Sequence, residues 1–225
     1  MQISIIVPVL NEAPSIVESL KRLQAMRKLG HEVILVDGGS KDQTIPLATP
    51  WVDSIHRSDT GRARQMMVGA SKAKGELLLF LHADTCLPAA AESLLTEACS
   101  RGDWGRFDLR LSGRHWLFPV IAWFINHRSR WSGVATGDQA IFVRRTLFEA
   151  VGGFADIPLM EDIELSKRLK RVVAPVCIGI PLITSSRRWE SHGVFKTIVL
   201  MWKLRLLYFL GVSPRSIARQ YRNHD

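Results

Sequence analysis

The sequence predicts an α/β fold, a mostly parallel central sheet with helices on both faces. Three observations carry that expectation. Apolar runs at Ile3–Pro8, Glu32–Asp37 and Glu76–Asp84 show little polar alternation, as strands buried on both faces require. Segments of helical periodicity lie between them, giving the order strand, helix, strand, helix. Each run also ends in polar residues, and open α/β sheets bind ligands at the carboxyl ends of their strands.

The elements follow in order. Asn11 is placed to cap the first helix, with Pro14 in its first turn. Ile16, Leu20, Leu23 and Met26 recur at helical spacing, and Gly30 ends the helix. The strand Glu32–Asp37 closes on Gly38-Gly39-Ser40, and Ser40-Lys41-Asp42 opens a short helix. A third strand is expected at Val52–Ile55, then a helix over Arg62–Lys74 stopped by Gly75. The strand Glu76–Asp84 follows, and a helix over Pro88–Cys99. Phe107–Leu111 alternates like a half-exposed strand, and Ala140–Val143 is another strand. Ile163–Val172 reads as a helix and Val173–Ile183 as one or two strands.

Of the 225 residues, 47% are hydrophobic and 23% charged, which excludes a disordered or low-complexity chain. The formal net charge is +9, and residues 186–225 hold eight basic and two acidic residues. This is a local basic surface, and no nucleic-acid partner is expected. Cys86, Cys99 and Cys177 form no C-x-x-C pair, which argues against disulfides and a thiolate zinc site and for a reducing compartment. The N-terminal apolar run stops at Asn11-Glu12 and reads as a strand, not a leader. No run reaches the ~18 apolar residues of a spanning helix. The expectation is a cytoplasmic protein, soluble or peripheral on the inner face of the cell membrane.

Several strand ends carry chemistry. Asp37-Gly-Gly-Ser-Lys-Asp42 offers a carboxylate and free amides beside a helix start, suited to a nucleotide. A tight turn capped by Ser40 or Asp42 explains the same glycines. Asp84, with His82 on the same side of an extended strand, suits a hard divalent cation that shares its coordination with phosphates. An Asx turn before Pro88 is the alternative. Glu161, Asp162 and Glu164 complement a helix dipole, and Asp162 is the one assigned a role. Arg144-Arg145 and Arg187-Arg188 suit either a diphosphate or a solvated surface. The sequence contains no G-x-G-x-x-G after the first strand, no P-loop and no G-x-S-x-G elbow.

In chain order, the informative segments are Ile5-Ile-Val-Pro-Val-Leu-Asn-Glu12, Val33-Ile-Leu-Val-Asp-Gly-Gly-Ser-Lys-Asp42, Gly61-Arg-Ala-Arg-Gln65 with Gly69, and Leu79-Phe-Leu-His-Ala-Asp84. Gly137-Asp-Gln-Ala-Ile-Phe-Val-Arg-Arg145, Gly152-Gly-Phe154 and Glu161-Asp162 complete the set. Together they resemble the family 2 glycosyltransferases of the GT-A fold. The resemblance implies an enzyme that moves one sugar from a nucleoside-diphosphate sugar, a UDP-sugar first among candidates, to a hydroxyl acceptor by inverting displacement. It implies that Pro8, Glu12, Asp37, Arg62 and Ala83 line the nucleotide side. Asp84 would bind Mg²⁺ or Mn²⁺, Asp162 would be the general base, and Gly137 and Asp138 would border the sugar and acceptor.

Two departures stand out against the family. His82 replaces the first acid of its D-x-D, leaving Asp84 alone. Ser185-Ser-Arg-Arg-Trp189 has serine where the processive enzymes' Q-x-x-R-W has glutamine, which favours a single transfer. The chain divides into a GT-A domain at 1–190 and a basic, apolar helical extension at 191–225. Phe195–Leu210 is apolar around most of a helix, and Arg215, Arg219 and Arg222 follow on one face. The run from His115 to His127, with Trp116, Phe118, Trp123 and Phe124, adds a second apolar segment. Together they suit docking on an anionic membrane to reach a lipid-linked acceptor, or a homodimer interface. The alternatives are a sugar-1-phosphate nucleotidyltransferase, whose glycine-rich loop is missing after the first strand, and a non-catalytic GT-A-like protein that docks on membranes.

Overall fold

The computed structural model describes residues 1–222, Arg222 through its backbone alone. The last three residues of the expected extension, 223–225, lie outside the described residues. The first half runs β1 (Ile3–Val9), α1 (Ile16–Arg22), α2 (Gln24–Lys28), β2 (Glu32–Asp37), α3 (Thr44–Ala48), β3 (Ser54–Arg57), α4 (Arg62–Lys72), β4 (Leu77–Phe80), β5 (Thr85–Cys86) and α5 (Ala91–Arg101). The second half adds β6 (Trp104–Leu111), α6 (Phe118–Ser132), β7 (Phe142–Arg144), α7 (Arg145–Ala150), α8 (Glu161–Val172), β8 (Val176–Thr184), α9 (Arg187–His192), α10 (Val194–Phe209) and α11 (Pro214–Arg222).

The strands form one sheet in the order β3-β2-β1-β4-β7-β6-β8-β5. The pairs β1–β2, β1–β4, β2–β3 and β6–β8 are parallel, and β7 lies antiparallel between β4 and β6. The sheet is therefore mostly parallel, with the GT-A pattern expected. Side chains alternate between two cores. Ile5, Val7, Val33, Leu35, Leu77 and Leu79 face one, while Ile6, Ile34, Val36, Leu78 and Phe80 face the other. Both faces are covered, so the strands carry no polar alternation.

Several expected boundaries move, each for a local reason. The first helix starts at Ile16 and Asn11 does not cap it; Asn11 sits at φ 54 with its side chain turned to the β2 loop. The helix expected from Ser40 starts at Thr44, whose N–H donates to Asp42 at 3.0 Å. The third strand lies two residues later than expected. The fourth ends at Phe80, because the Leu81 N–H still donates to Ile6 but the chain then turns, with Thr85 N–H donating to His82 O. His82 and Asp84 therefore stand on a turn. β6 is buried at every position but Arg110, not half-exposed. Arg106 is buried within it and pairs with Asp108, which Arg130 also contacts at 2.6 Å.

At its N-terminal half α10 packs through Val194 and Ile198 on Phe118 and Ile121 of α6. Farther along, Leu204 joins Met160, Ile163 and Ile217, setting α10 beside the start of α8 and against α11. Among the described residues no helix is long and apolar enough to cross a membrane.

Gly69 of α4 packs tightly on β1, where an added Cβ would stand 2.4 Å from Ile6 Cγ2. Gly69→Ala should lower unfolding free energy by about 1–3 kcal/mol through overpacking. Urea denaturation measures this, and an unchanged midpoint would mean that α4 lifts off β1 without cost.

Candidate active site

The carboxyl ends of β1 and β2 stay paired to Val9 and Asp37, and Gln65 of α4 reaches both strands. Its Nε2 donates to Val9 O at 2.8 Å and Val36 O at 2.9 Å, adding a second hydrogen bond to the Val9 carbonyl, which also accepts the Gly38 N–H at 3.0 Å. Asp37 is buried, and its carboxylate accepts the N–H groups of Gly39 and Ser40 at 3.2 and 3.0 Å. The β1 exit is bound to the same turn. Lys41 N–H donates to Asn11 Oδ1, Asn11 N–H to Ser40 Oγ, and Glu12 N–H to Thr44 Oγ1, at 2.8–2.9 Å. Asp37 thus shapes its turn and lies outside the lining of the cavities described next.

Two cavities open at this edge. The smaller, ≈ 290 Å³, is lined by Pro8, Glu12, Arg62, His82, Ala83 and Asp84, with Gln65 at its base. The larger, ≈ 600 Å³, shares Glu12, Arg62, His82 and Asp84 and adds Gly137, Asp138, Glu161 and Asp162. Its far wall is the C-terminal helices, with Arg187, Arg205 and Tyr221. The fold thus gathers every candidate residue but Asp37 around two joined cavities. Of the two arginine pairs, Arg187 and Arg188 line the larger cavity, and Arg187 stands 3.6 Å from Glu12. Arg144 pairs with Asp103 and Arg145 donates to Gly75 O, so both are structural.

Asp162 is fixed by two N–H donors, Gly137 at 2.8 Å and Ile163 at 2.7 Å. Burial raises its pKa, and those two hydrogen bonds oppose the rise. Glu161 beside it is buried; desolvation and then repulsion from Asp162 push its carboxyl up. Sequence reading gave Glu161 no role beyond complementing the helix dipole, because helix periodicity alone does not reveal the chain that covers the α8 N-terminus. His82 packs on Gly137, where an added Cβ would lie 2.7 Å from its Nε2. Burial, with the Arg62 cation, lowers His82 to about 3, so it is a neutral ring in the site.

Asp84 differs from the other acids. No side chain donates to it among the described residues, while desolvation raises its pKa and the nearby Arg62 cation lowers it. A desolvated carboxylate on the wall of two cavities fits a divalent cation. Among the described residues there is no group of three or more His, Cys, Asp or Glu able to hold a metal. Asp84 would therefore need donor phosphates as co-ligands.

Two arginines escaped the sequence reading of this site. Arg205 of α10 lines the larger cavity. Arg128 of α6 has Nε and Nη2 buried without hydrogen-bond partners among the described residues. Desolvation and then Arg205 lower Arg128 to about 10, while Asp138 and Asp162 act the other way. The three non-glycine residues with left-handed backbone among the described residues are Asn11, Ala140 and Met160, at φ 54, 50 and 68. Each lies within three residues of a cavity-lining candidate, where strain concentrates at functional sites.

The sequence is 33% identical over 168 residues to a PGL/p-HBAD biosynthesis glycosyltransferase of Mycobacterium tuberculosis, covering 67% of this chain and 62% of that one. It is 36% identical over 168 residues to an undecaprenyl-phosphate 4-deoxy-4-formamido-L-arabinose transferase of Pseudomonas savastanoi, covering 66% of this chain and 49% of that one. The chain thus spans less than two thirds of the length of these curated relatives. In fold it is similar to the mannosyltransferase PcManGT of Pyrobaculum calidifontis, solved with GDP-Man and Mn²⁺, at TM-score 0.62 and 21% identity over 81% of this chain and 56% of that one. It is also similar to S. aureus TarS 1–349 solved with UDP-GlcNAc, at TM-score 0.66 and 18% identity over 82% and 58%. The sequence model of glycosyl transferase family 2 matches residues 4–152, and the protein belongs to that family.

Proposed function

We propose that the protein transfers one sugar from a nucleoside-diphosphate sugar to a hydroxyl of a lipid-linked acceptor, with inversion at the anomeric carbon. The observation that carries this reading is the single cavity shared by Asp162, Arg62 and Asp84. It joins a positioned carboxylate, a cation and an unspent acid at one strand edge. The nucleotide occupies the smaller cavity beside Pro8, Glu12 and Ala83, and Asp37 supports that pocket through its turn.

Asp162 removes the proton from the acceptor hydroxyl, whose oxygen attacks the anomeric carbon as the bond to the diphosphate oxygen breaks. The two N–H groups that hold Asp162 fix its orientation but not its charge. Arg62 and Arg187 face the negative charge that grows on the departing diphosphate. Mg²⁺ or Mn²⁺ held at Asp84 would add Lewis-acid stabilisation of the same charge. Gly137 and Asp138 border the sugar. Ser185 in place of glutamine favours one transfer per acceptor. The lipid-linked acceptor is supported by the similarity to an undecaprenyl-phosphate transferase.

The outer helices support peripheral membrane attachment of residues 191–222 beside a transferase body at 1–190. Trp123, Phe124 and Trp131 of α6 are exposed, as are Phe195, Val199, Trp202, Leu206 and Phe209 of α10. The α10 set repeats every three to four residues, a full apolar stripe. Lys196 and Lys203 flank it and Arg215 and Arg219 follow, a mixture favoured at an anionic lipid boundary.

Three outcomes test this reading. Asp84→Ala should keep the fold and lose the Mn²⁺-dependent part of UDP affinity, measured calorimetrically; persistence of that dependence would make Asp84 a turn residue only. Asp162→Asn should preserve donor binding and slow transfer by about 10²–10⁴-fold. Because the base works deprotonated and burial raises its pKa, wild-type activity should fall as pH drops, with the acid limb above the ordinary carboxylate value. Unchanged turnover in Asp162→Asn would remove it as the base. The protein should co-sediment with anionic liposomes at low salt and less at high salt, each basic residue contributing up to ~1 kcal/mol. A chain ending at Ser191 should lose this binding, and equal recovery with neutral liposomes would defeat electrostatic attachment.

A further inference from the structure

Beside the catalytic cavity lies a groove of ≈ 760 Å³ between α9 and α10, floored by Phe195, Val199 and Leu200. The two spaces are continuous, because Arg188, Ser191, His192 and Thr197 line both. Phe195 and Val199, one helical turn apart, are 68% and 66% exposed, a surface that gains from an apolar cover. Arg188, Lys196 and Lys203 stand along the groove, and no Asp or Glu is among its described lining residues.

We infer that this groove binds the acceptor itself, an amphiphile with one apolar chain and a phosphate-bearing head. The inference rests on the reading of the site as a transferase with a lipid-linked acceptor and adds where and how that acceptor is held. The chain lies along Phe195 and Val199. The anionic head sits where the groove meets the catalytic cavity, near Arg188 and His192. A free sugar would gain nothing from the apolar floor, and a neutral lipid would leave the cations without a counter-charge. Only a ligand with both parts uses both features, and continuity with the cavity brings its head toward Asp162. Arg188 is itself held in place, stacked 3.8 Å from the Tyr221 ring centroid and donating to the Tyr221 hydroxyl. The head therefore meets a positioned cation.

The test titrates the full-length protein with farnesyl phosphate below its micellar concentration, and in parallel with farnesol and with inorganic phosphate. Farnesyl phosphate should bind about tenfold or more tightly than either, and Val199→Asp should weaken it by about tenfold or more. Absence of farnesyl phosphate binding, equal binding by Val199→Asp, or inorganic phosphate binding as tightly as farnesyl phosphate would each overturn the inference. So would a wild-type dimer that Val199→Asp splits without changing farnesyl phosphate affinity, which would give the groove to a second copy. UDP with Mn²⁺, titrated in the same samples, reports separately on the donor reading. Lipid binding that persists without UDP binding would sink that reading and support the groove.

Discussion

A sheet covered on both faces leaves most of its polar chemistry to the ends of its strands. That constraint organises this molecule. β1, β2 and β4 bury apolar side chains into two cores, so every polar residue that follows them is forced to the carboxyl edge. Gln65 ties the ends of β1 and β2 to the neighbouring helix by bonding the Val9 and Val36 carbonyls. Gln65 also lines the smaller cavity, so one buried amide joins its wall to two strand ends.

The acids at this edge are sorted by what already bonds them. Asp37 is satisfied by its own turn, Asp138 accepts the Thr136 hydroxyl at 2.5 Å, and Asp162 takes two backbone N–H groups. Among the described residues no side chain donates to Asp84, and the one backbone N–H that favours its carboxylate is its own. A carboxylate with fixed partners keeps its orientation; one without them is available to a cation. Burial raises both Asp84 and Asp162, but only Asp162 is held in one pose while it titrates.

Much of this was legible in the sequence for a physical reason. Apolar runs buried on both faces leave a strong signal, and Glu32–Asp37 matches β2 at both ends. The segments bearing Asp37 and Asp84 follow β2 and β4, so they were readable with them. What escaped depends on contacts distant in the chain. Glu161 looks like a dipole-complementing surface acid until the C-terminal helices are seen, and Arg128 and Arg205 sit on helices whose apolar composition dominates their pattern. Asn11 resembles a helix cap locally, but its partners come from the β2 loop some thirty residues on. The alternation at Phe107–Leu111 misled because Arg106 and Asp108 are polar and yet buried as a pair.

The contact of His82 with Gly137 carries a further consequence. Gly137 touches the imidazole on one side, and its N–H holds Asp162 on the other. The turn bearing Asp84 and the acid at the head of α8 thus share a single glycine as their common bearing surface. A ligand that presses His82 against Gly137 would shift that glycine, and with it the donor that orients Asp162. Coupling of this kind is reciprocal: whatever free energy occupancy on the Asp84 side spends on the pose of Asp162, occupancy beside Asp162 returns to the Asp84 side. The turn after β4 and the head of α8 thereby meet through a residue that has no side chain.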